Sequence, residues 1–330
     1  MKRIGGLIER CADMDNLLLA FYKAQRGKQA NAEVVCFRAS LNANLVAMGQ
    51  AVLTGQVQVG KYRTFLIFDP KQRTICSAPF ADRVLHHALM NVCHPHFDSK
   101  LIFHTYATRL GKGTYAAIDV AHRAMPKYKY VAKLDVRKYF DSIDHNVLKN
   151  QLKRMFKDRT LLNIFFKIID SYEVVQDKGL PIGNLTSQYF ANHYLSSFDH
   201  YVKEKLQIPV YVRYMDDMLF WGHDRSMVME WVKKIAEYLG DNLLLQLKPP
   251  IIVSTSAGVS FLGYRLQGYR IGLNCRSRNR LRSKFGVCET LLEKKLWSPL
   301  EYYDHITPLL AFAEKAYTKR MRRNMIFEHQ

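Results

Sequence analysis

Val210-Tyr211-Val212-Arg213-Tyr214-Met215-Asp216-Asp217-Met218-Leu219-Phe220-Trp221 is the stretch that decides the fold. Two β-rich runs, 210–213 and 218–221, flank a tight turn, the pattern of an antiparallel hairpin. The turn carries two adjacent acids. Aspartate is a good turn residue, so an ordinary turn accounts for the pair taken alone. Clustered carboxylates, however, repel and raise each other's pKa unless a cation neutralises them.

A second acidic element tips the balance. In Lys133-Leu134-Asp135-Val136-Arg137-Lys138-Tyr139-Phe140-Asp141-Ser142-Ile143, Asp135 closes a strand predicted over 130–136 and can project beside the hairpin turn. Asp141 and Asp144 read as helix-entry and capping residues, with Asp144 preceding a helix that begins at His145. Carboxylates from separate chain segments are what two metal ions about 3.5–4 Å apart require in phosphoryl transfer. Magnesium takes oxygen ligands and keeps positions open for substrate phosphates, which makes it the expected ion.

Working outward, helices are expected around Leu7–Tyr22, ending near Gly27, and over 41–54, ending at Gly55. Strands are expected at 64–69 and 73–77 around the turn Pro70-Lys71-Gln72, then a helix over 79–92. Further on come a helix over 161–172, a loop at 176–181, a long helix over 185–206 and another over 227–239. Strands near 259–265 and 270–273 precede a basic helical segment; residues 276–330 hold twelve Lys or Arg against six acids. No internal repeat or low-complexity linker interrupts the chain.

The 330 residues are 48% hydrophobic, enough for one large core or two smaller ones. Lys and Arg outnumber Asp and Glu by 49 to 29, a formal charge of +20, which points to a polyanionic partner. Six scattered cysteines without a CxxC pair suit reduced thiols in a cytoplasmic protein. Cys93-His94-Pro95-His96 is the one local cluster of soft ligands, and packing is its expected role. No apolar run is long enough to span a bilayer, and the N-terminus lacks a cleavable leader, so no membrane association is expected.

Taken in order, these elements resemble the motifs of reverse transcriptases. Asp135 with Phe140 five residues on, then Gly179-Leu180-Pro181-Ile182-Gly183-Asn184-Leu185-Thr186-Ser187-Gln188, then Tyr214-Met215-Asp216-Asp217 follow that family's order and spacing. Phe261-Leu262-Gly263-Tyr264 resembles the primer-grip element. Arg73–Val84, and Tyr106-Ala107-Thr108-Arg109 with Gly111-Lys112-Gly113-Thr114, resemble fingers motifs. The likeness runs from about Phe65 to the basic C-terminus.

The resemblance implies an α+β right-hand polymerase: fingers from about 1–130 and 146–178, a palm of antiparallel sheet plus helices from 131–145 and 179–270, and a small helical thumb from 271–330. It makes Asp135, Asp216 and Asp217 the catalytic metal ligands, joined by the Val136 backbone, for two Mg2+ ions with Mn2+ as the substitute. Lys71, Arg73, Phe140, Ile182, Gly183 and Gln188 match residues at the incoming dNTP. Phe140 matches the aromatic that stands beneath the sugar and excludes a 2′-hydroxyl; taken alone it reads as a core aromatic. Leu262, Gly263, Arg276, Arg278 and Arg280 match contacts to primer and template. Lys248 falls near a motif thought to protonate pyrophosphate, although its surroundings depart from the common pattern.

Ile182-Gly183 and Ser187-Gln188 stand where group II intron and retroviral enzymes usually carry Gln-Gly and Ser-Pro. Ile-Gly-x-x-x-Ser-Gln resembles the enzymes of diversity-generating retroelements. These copy a template-repeat RNA into cDNA with errors at template adenines and act with a small basic ring-forming accessory protein. The short N-terminus and compact thumb fit that group, and no room is expected for a maturase, endonuclease or RNase H region. Antiphage and other bacterial reverse transcriptases are the nearest alternative. Two more distant readings are an RNA-dependent RNA polymerase, which Phe140 argues against, and a non-catalytic RNA-binding scaffold, which the intact carboxylates argue against.

Overall fold

The computed structural model describes residues 3–68 and 72–327, in two compact units. Lys71 lies outside the described residues. Along the chain run α1 (Ile8–Ala12), α2 (Met14–Gln25), α3 (Ala32–Ala39), α4 (Leu41–Thr54), β1 (Arg63–Ile67), β2 (Arg73–Ser77), α5 (Phe80–Asp98) and α6 (Thr114–Ala124). Next come β3 (Tyr130–Asp135), α7 (Tyr139–Ser142), α8 (His145–Met155), α9 (Arg159–Asp170), α10 (Leu185–Tyr194) and α11 (Ser196–His200). The remainder is β4 (Val210–Tyr214), β5 (Asp217–Gly222), α12 (Arg225–Leu243), β6 (Ile251–Ser254), β7 (Val259–Phe261), β8 (Tyr264–Gln267), β9 (Arg270–Leu273), α13 (Cys275–Glu293), α14 (Pro299–Glu314) and α15 (Lys319–Phe327).

The first unit takes residues 1–103, 136–201 and 236–246. Its core includes Leu17, Phe21, Val34, Leu45, Phe80, Val84 and Ala88, which bury one face each of α2 to α5. Gly55 ends α4 in the left-handed conformation expected of a helix-terminating glycine. The antiparallel hairpin β1–β2 pairs Arg63 with Ser77 and Ile67 with Arg73. Asp144 caps α8 by accepting from the Val147 N–H at 3.0 Å.

The second unit takes residues 104–135, 202–235 and 247–330. Its four-stranded antiparallel sheet has the order β4-β5-β3-β6, and the meander β7-β8-β9 forms a separate three-stranded sheet. A single core joins the sheet to the C-terminal helices: Val131, Val212, Leu219 and Trp221 share it with Tyr264, Leu266, Leu281, Phe285 and Ile306. Antiparallel register sets the last residue of β3, Asp135, beside the first residue of β5, Asp217, at one end of this sheet.

Several elements differ from the sequence expectation. The helix placed at 79–92 runs on to Asp98 and contains Pro95, because buried Cys93 and Phe97 continue its apolar stripe. The long helix placed at 185–206 is interrupted at Leu195, and after α11 it continues directly as a π-helical turn, Tyr201–Lys205. The strand placed at 259–265 splits at Leu262-Gly263, both with positive φ, which makes it a hairpin. Helix α12 is longer than 227–239, and β6 lies in a stretch to which the sequence reading gave no element. All six cysteines are free thiols, four of them buried. No helix among the described residues is long and apolar enough to cross a membrane.

Candidate active site

The second unit gathers the three aspartates at one end of its four-stranded sheet. Asp135 and Asp217 are direct register partners on β3 and β5, and Tyr214 pairs with Asp217 across a two-residue turn formed by Met215 and Asp216. Met215 takes φ +53°, a costly conformation for an unbranched non-glycine side chain. Fully buried Arg213 supports the turn: its guanidinium donates to the Met215 carbonyl at 3.0 Å.

Electrostatics follow from this crowding. Burial, then the charge of Asp135, pushes the Asp216 carboxyl up to about 6. Burial likewise raises Asp217 to about 6, against the opposing pull of Lys133 and with the added repulsion of Asp135 and Asp216. The Lys133 ammonium donates to Asp217 Oδ2 at 3.1 Å and to the Ser260 carbonyl at 3.0 Å. Lys248 Nζ donates to Asp135 Oδ1 at 2.6 Å, and the Lys248 N–H to the Asp135 carbonyl at 2.9 Å. The second oxygen of Asp217, Oδ1, is buried without a hydrogen-bond partner.

These features test the fit of a metal. Among the described residues, no three His, Cys, Asp or Glu side chains are grouped closely enough to form a ready-made metal cage. Two of the three carboxylates instead hold ammonium groups. The donor set is nonetheless all oxygen, carries repelling charges and includes an orphaned buried acceptor, which suits a hard divalent cation. Val136, whose carbonyl is the expected backbone ligand, follows directly on Asp135 and buries its side chain.

The first unit brings together another set of expected residues. The Cys76 N–H on β2 donates to the Ile182 carbonyl at 2.8 Å, and the Leu180 N–H to the Phe140 carbonyl at 2.9 Å. At Gly183, φ +118°, a Cβ would stand 3.0 Å from both the Cys76 carbonyl and Ile75 Cγ2, so the close approach of the two segments needs glycine. Ile182 is half-buried there, and Phe140 sits on α7 edge-on to the Tyr139 ring, centroids 5.8 Å apart. Arg73, at the start of β2, and Gln188, on α10, are both exposed. His145 buries its ring with Nε2 2.7 Å from the Gly179 carbonyl, a support for this loop that the sequence reading did not single out.

In the second unit, Leu262 (φ +47°) and Gly263 (φ +91°) form the β7–β8 turn. A Cβ on Gly263 would lie 2.9 Å from Phe312 Cζ and 3.0 Å from Ser277 Oγ. Phe312 and Ser277 line the same hollow of about 210 Å³ as Arg280, so Arg280 belongs with this turn. Helical spacing puts Arg276 on the face of Arg280, and Arg278 on that of Arg282. Lys133 and Arg213 were missed as site residues. The only signal for Lys133 was its place two residues before Asp135, on the same strand face.

The sequence profile of reverse transcriptases (RNA-dependent DNA polymerases) matches residues 68–266, more than half of the chain. The retron Ec73 reverse transcriptase of Escherichia coli is 25% identical over 199 residues, 56% of this chain and 61% of that protein. Protein YkfC of Escherichia coli (strain K12) is 24% identical over 183 residues, covering 51% and 48%. The chain spans from 12% to 61% of the lengths of the curated relatives it matches. Among solved structures, apo telomerase from Candida Tropicalis matches with a TM-score of 0.54 and 11% identity, over 81% of this chain and 59% of that one. That likeness concerns the fold, which is the α+β right-hand polymerase fold with its antiparallel sheet. By the profile match, the chain belongs to the reverse transcriptase family.

Proposed function

We propose that the protein is an RNA-directed DNA polymerase, a nucleotidyltransferase that extends a primer with dNTPs on an RNA template. The observation that carries this is the convergence of Asp135, Asp216 and Asp217 at one end of the sheet, with an orphaned carboxylate oxygen among them. Divalent ions bound at these oxygens, two Mg2+ with Mn2+ as the substitute, would supply charge neutralisation and activation of the primer hydroxyl. Lys133 and Lys248 hold Asp217 and Asp135 in place and limit their mutual repulsion until such ions are bound.

The remaining roles rest on family resemblance. Arg73, with Lys71, neutralises the incoming triphosphate. Phe140 limits space beneath the sugar, Gly183 and Gln188 pack at the nascent pair, and the Leu262-Gly263 turn with Arg276, Arg278 and Arg280 holds primer and template. By the same resemblance, fingers are assigned to 1–130 and 146–178, palm to 131–145 and 179–270, and thumb to 271–330.

The finer reading is error-prone copying of a template-repeat RNA for a diversity-generating retroelement, with a small basic accessory protein as partner. Ile182 supports it: its side chain has no donor or acceptor, so a mispaired substrate leaves no buried polar group unpaired. A second reading, another bacterial reverse transcriptase such as one of retron type, is favoured by the similarity to the retron Ec73 enzyme. Extension of a primed RNA template with dNTPs, compared with NTPs, followed by sequencing of the cDNA, tests both levels. Errors concentrated opposite adenine, and reduced in Ile182→Gln, support the retroelement reading. A flat error spectrum favours the second.

A further inference from the structure

The solvent face of the β7–β8–β9 meander has no part in the site above. Alternation turns Tyr264, Leu266, Ile271 and Leu273 into the core and leaves Arg265, Gln267 and Arg270 exposed on the other side. Register places Gln267 opposite Arg270 and Arg265 opposite Gly272. Gly272 has no positive φ, and a Cβ there would meet only the Arg265 carbonyl, at 3.9 Å. Packing therefore does not require glycine at this position. Its missing side chain opens the floor of a groove of about 660 Å³, lined by Arg265, Tyr269, Arg270 and Tyr317 among others.

The two tyrosines are 77% and 74% exposed. Tyr317 is held in place, because its backbone N–H donates to the Ile271 carbonyl on edge strand β9 at 2.8 Å. A ring anchored by its backbone yet left in water forgoes the stabilisation of burial, and a stacked base would restore it. Past Tyr317 the groove continues into hollows lined by Arg282, Lys319, Arg320 and Arg323. These four cations and Arg270 are exposed and form no ion pair among the described residues, whereas nearby Lys315 and Arg322 pair with Asp119 and Glu314. A positively charged groove with aromatic stations is the arrangement that tracks an unpaired strand through its phosphates and stacks its bases.

We infer that this groove binds single-stranded RNA, as a surface separate from the primer–template contacts at Leu262, Gly263 and Arg280. The choice of RNA over DNA rests on the proposed reaction, whose unpaired strand is template awaiting copying. The test uses the full chain, with anisotropy of a labelled, unstructured single-stranded RNA, the same sequence as DNA, and a short RNA/DNA hybrid with a recessed primer end. In Tyr269→Ala/Tyr317→Ala, and separately in Gly272→Val, which fills the floor without removing charge, affinity for the single-stranded RNA falls about tenfold or more. Hybrid binding, dNTP extension of the hybrid and the thermal midpoint stay at wild-type values.

Unchanged affinity for the single-stranded RNA in both variants overturns the inference. So does an equal loss on the hybrid, which would make the surface part of the duplex clamp, or equally tight binding of the DNA strand by wild-type protein. A wild-type chain that fails to extend primers, yet binds RNA through these tyrosines, removes the proposed reaction and leaves the groove standing.

Discussion

Lys133 and Asp217 form an ion pair at the aspartate-bearing end of the four-stranded sheet: Nζ lies 3.1 Å from Oδ2, with each side chain only about one fifth exposed. The same ammonium reaches the Ser260 carbonyl on β7, so it ties the carboxylate to the turn-bearing meander. Removing a cation from a mostly buried carboxylate leaves an uncompensated charge. Lys133→Met should therefore lower the stability of the metal-free protein by about 1–3 kcal/mol. Millimolar Mg2+ should restore part of that loss, because a divalent ion at Asp217 replaces the missing ammonium. Thermal melts with and without Mg2+ read both effects. An equal loss in the two conditions would place Asp217 outside any metal site.

Phe140 lies on α7, its carbonyl bonded to Leu180 in the segment that carries Ile182 and Gly183. If its ring limits space beneath the incoming sugar, Phe140→Ala should raise ribonucleotide over deoxyribonucleotide incorporation by about tenfold. Competitive single-nucleotide extension measures that ratio. A ratio that does not move, together with lower stability, would make the ring a packing residue.

The hairpin was legible because two acids stood between apolar β runs, and Asp135 because it ended a strand of matching length. Gly183 was legible as part of an ordered motif, but only the structure gives its reason, the 3.0 Å approach to Cys76. What sequence hid were partnerships across long separations. A lysine on a strand ordinarily faces water, so nothing announced that Lys133 reaches Ser260, 127 residues later. The place of Lys248 beside Asp135 depends on β6 pairing with β3, and the sequence reading gave that stretch no element. The interruption at Leu195 between α10 and α11 was hidden because apolar residues continue through it.

His86 on α5 is 1% exposed, and neither ring nitrogen has a hydrogen-bond partner. Burial, and then the charge of neighbouring His87, push its imidazole down to about 3. The unfolded chain, with an ordinary value near 6.5, takes up a proton well before the folded protein does. Stability from this group is thus complete above about pH 6.5 and is lost as pH falls toward about 3. His86→Leu should shrink the stability loss between about pH 7 and about pH 5 by about 2 kcal/mol. Urea denaturation at the two pH values checks it. An unchanged difference would mean that the ring is already charged or hydrated in the fold.

Asp216 is the most direct test of the central claim, because it stands at the hairpin tip and burial and the charge of Asp135 push its carboxyl up to about 6. Asp216→Asn keeps the shape of the side chain and removes its charge. The measurement is primer extension on an RNA template with dNTPs and Mg2+, paired with binding of the same RNA/DNA hybrid. Extension should fall by about a thousandfold or more while hybrid affinity stays within about twofold of wild type. Extension near the wild-type rate would contradict the assignment of these carboxylates to catalysis.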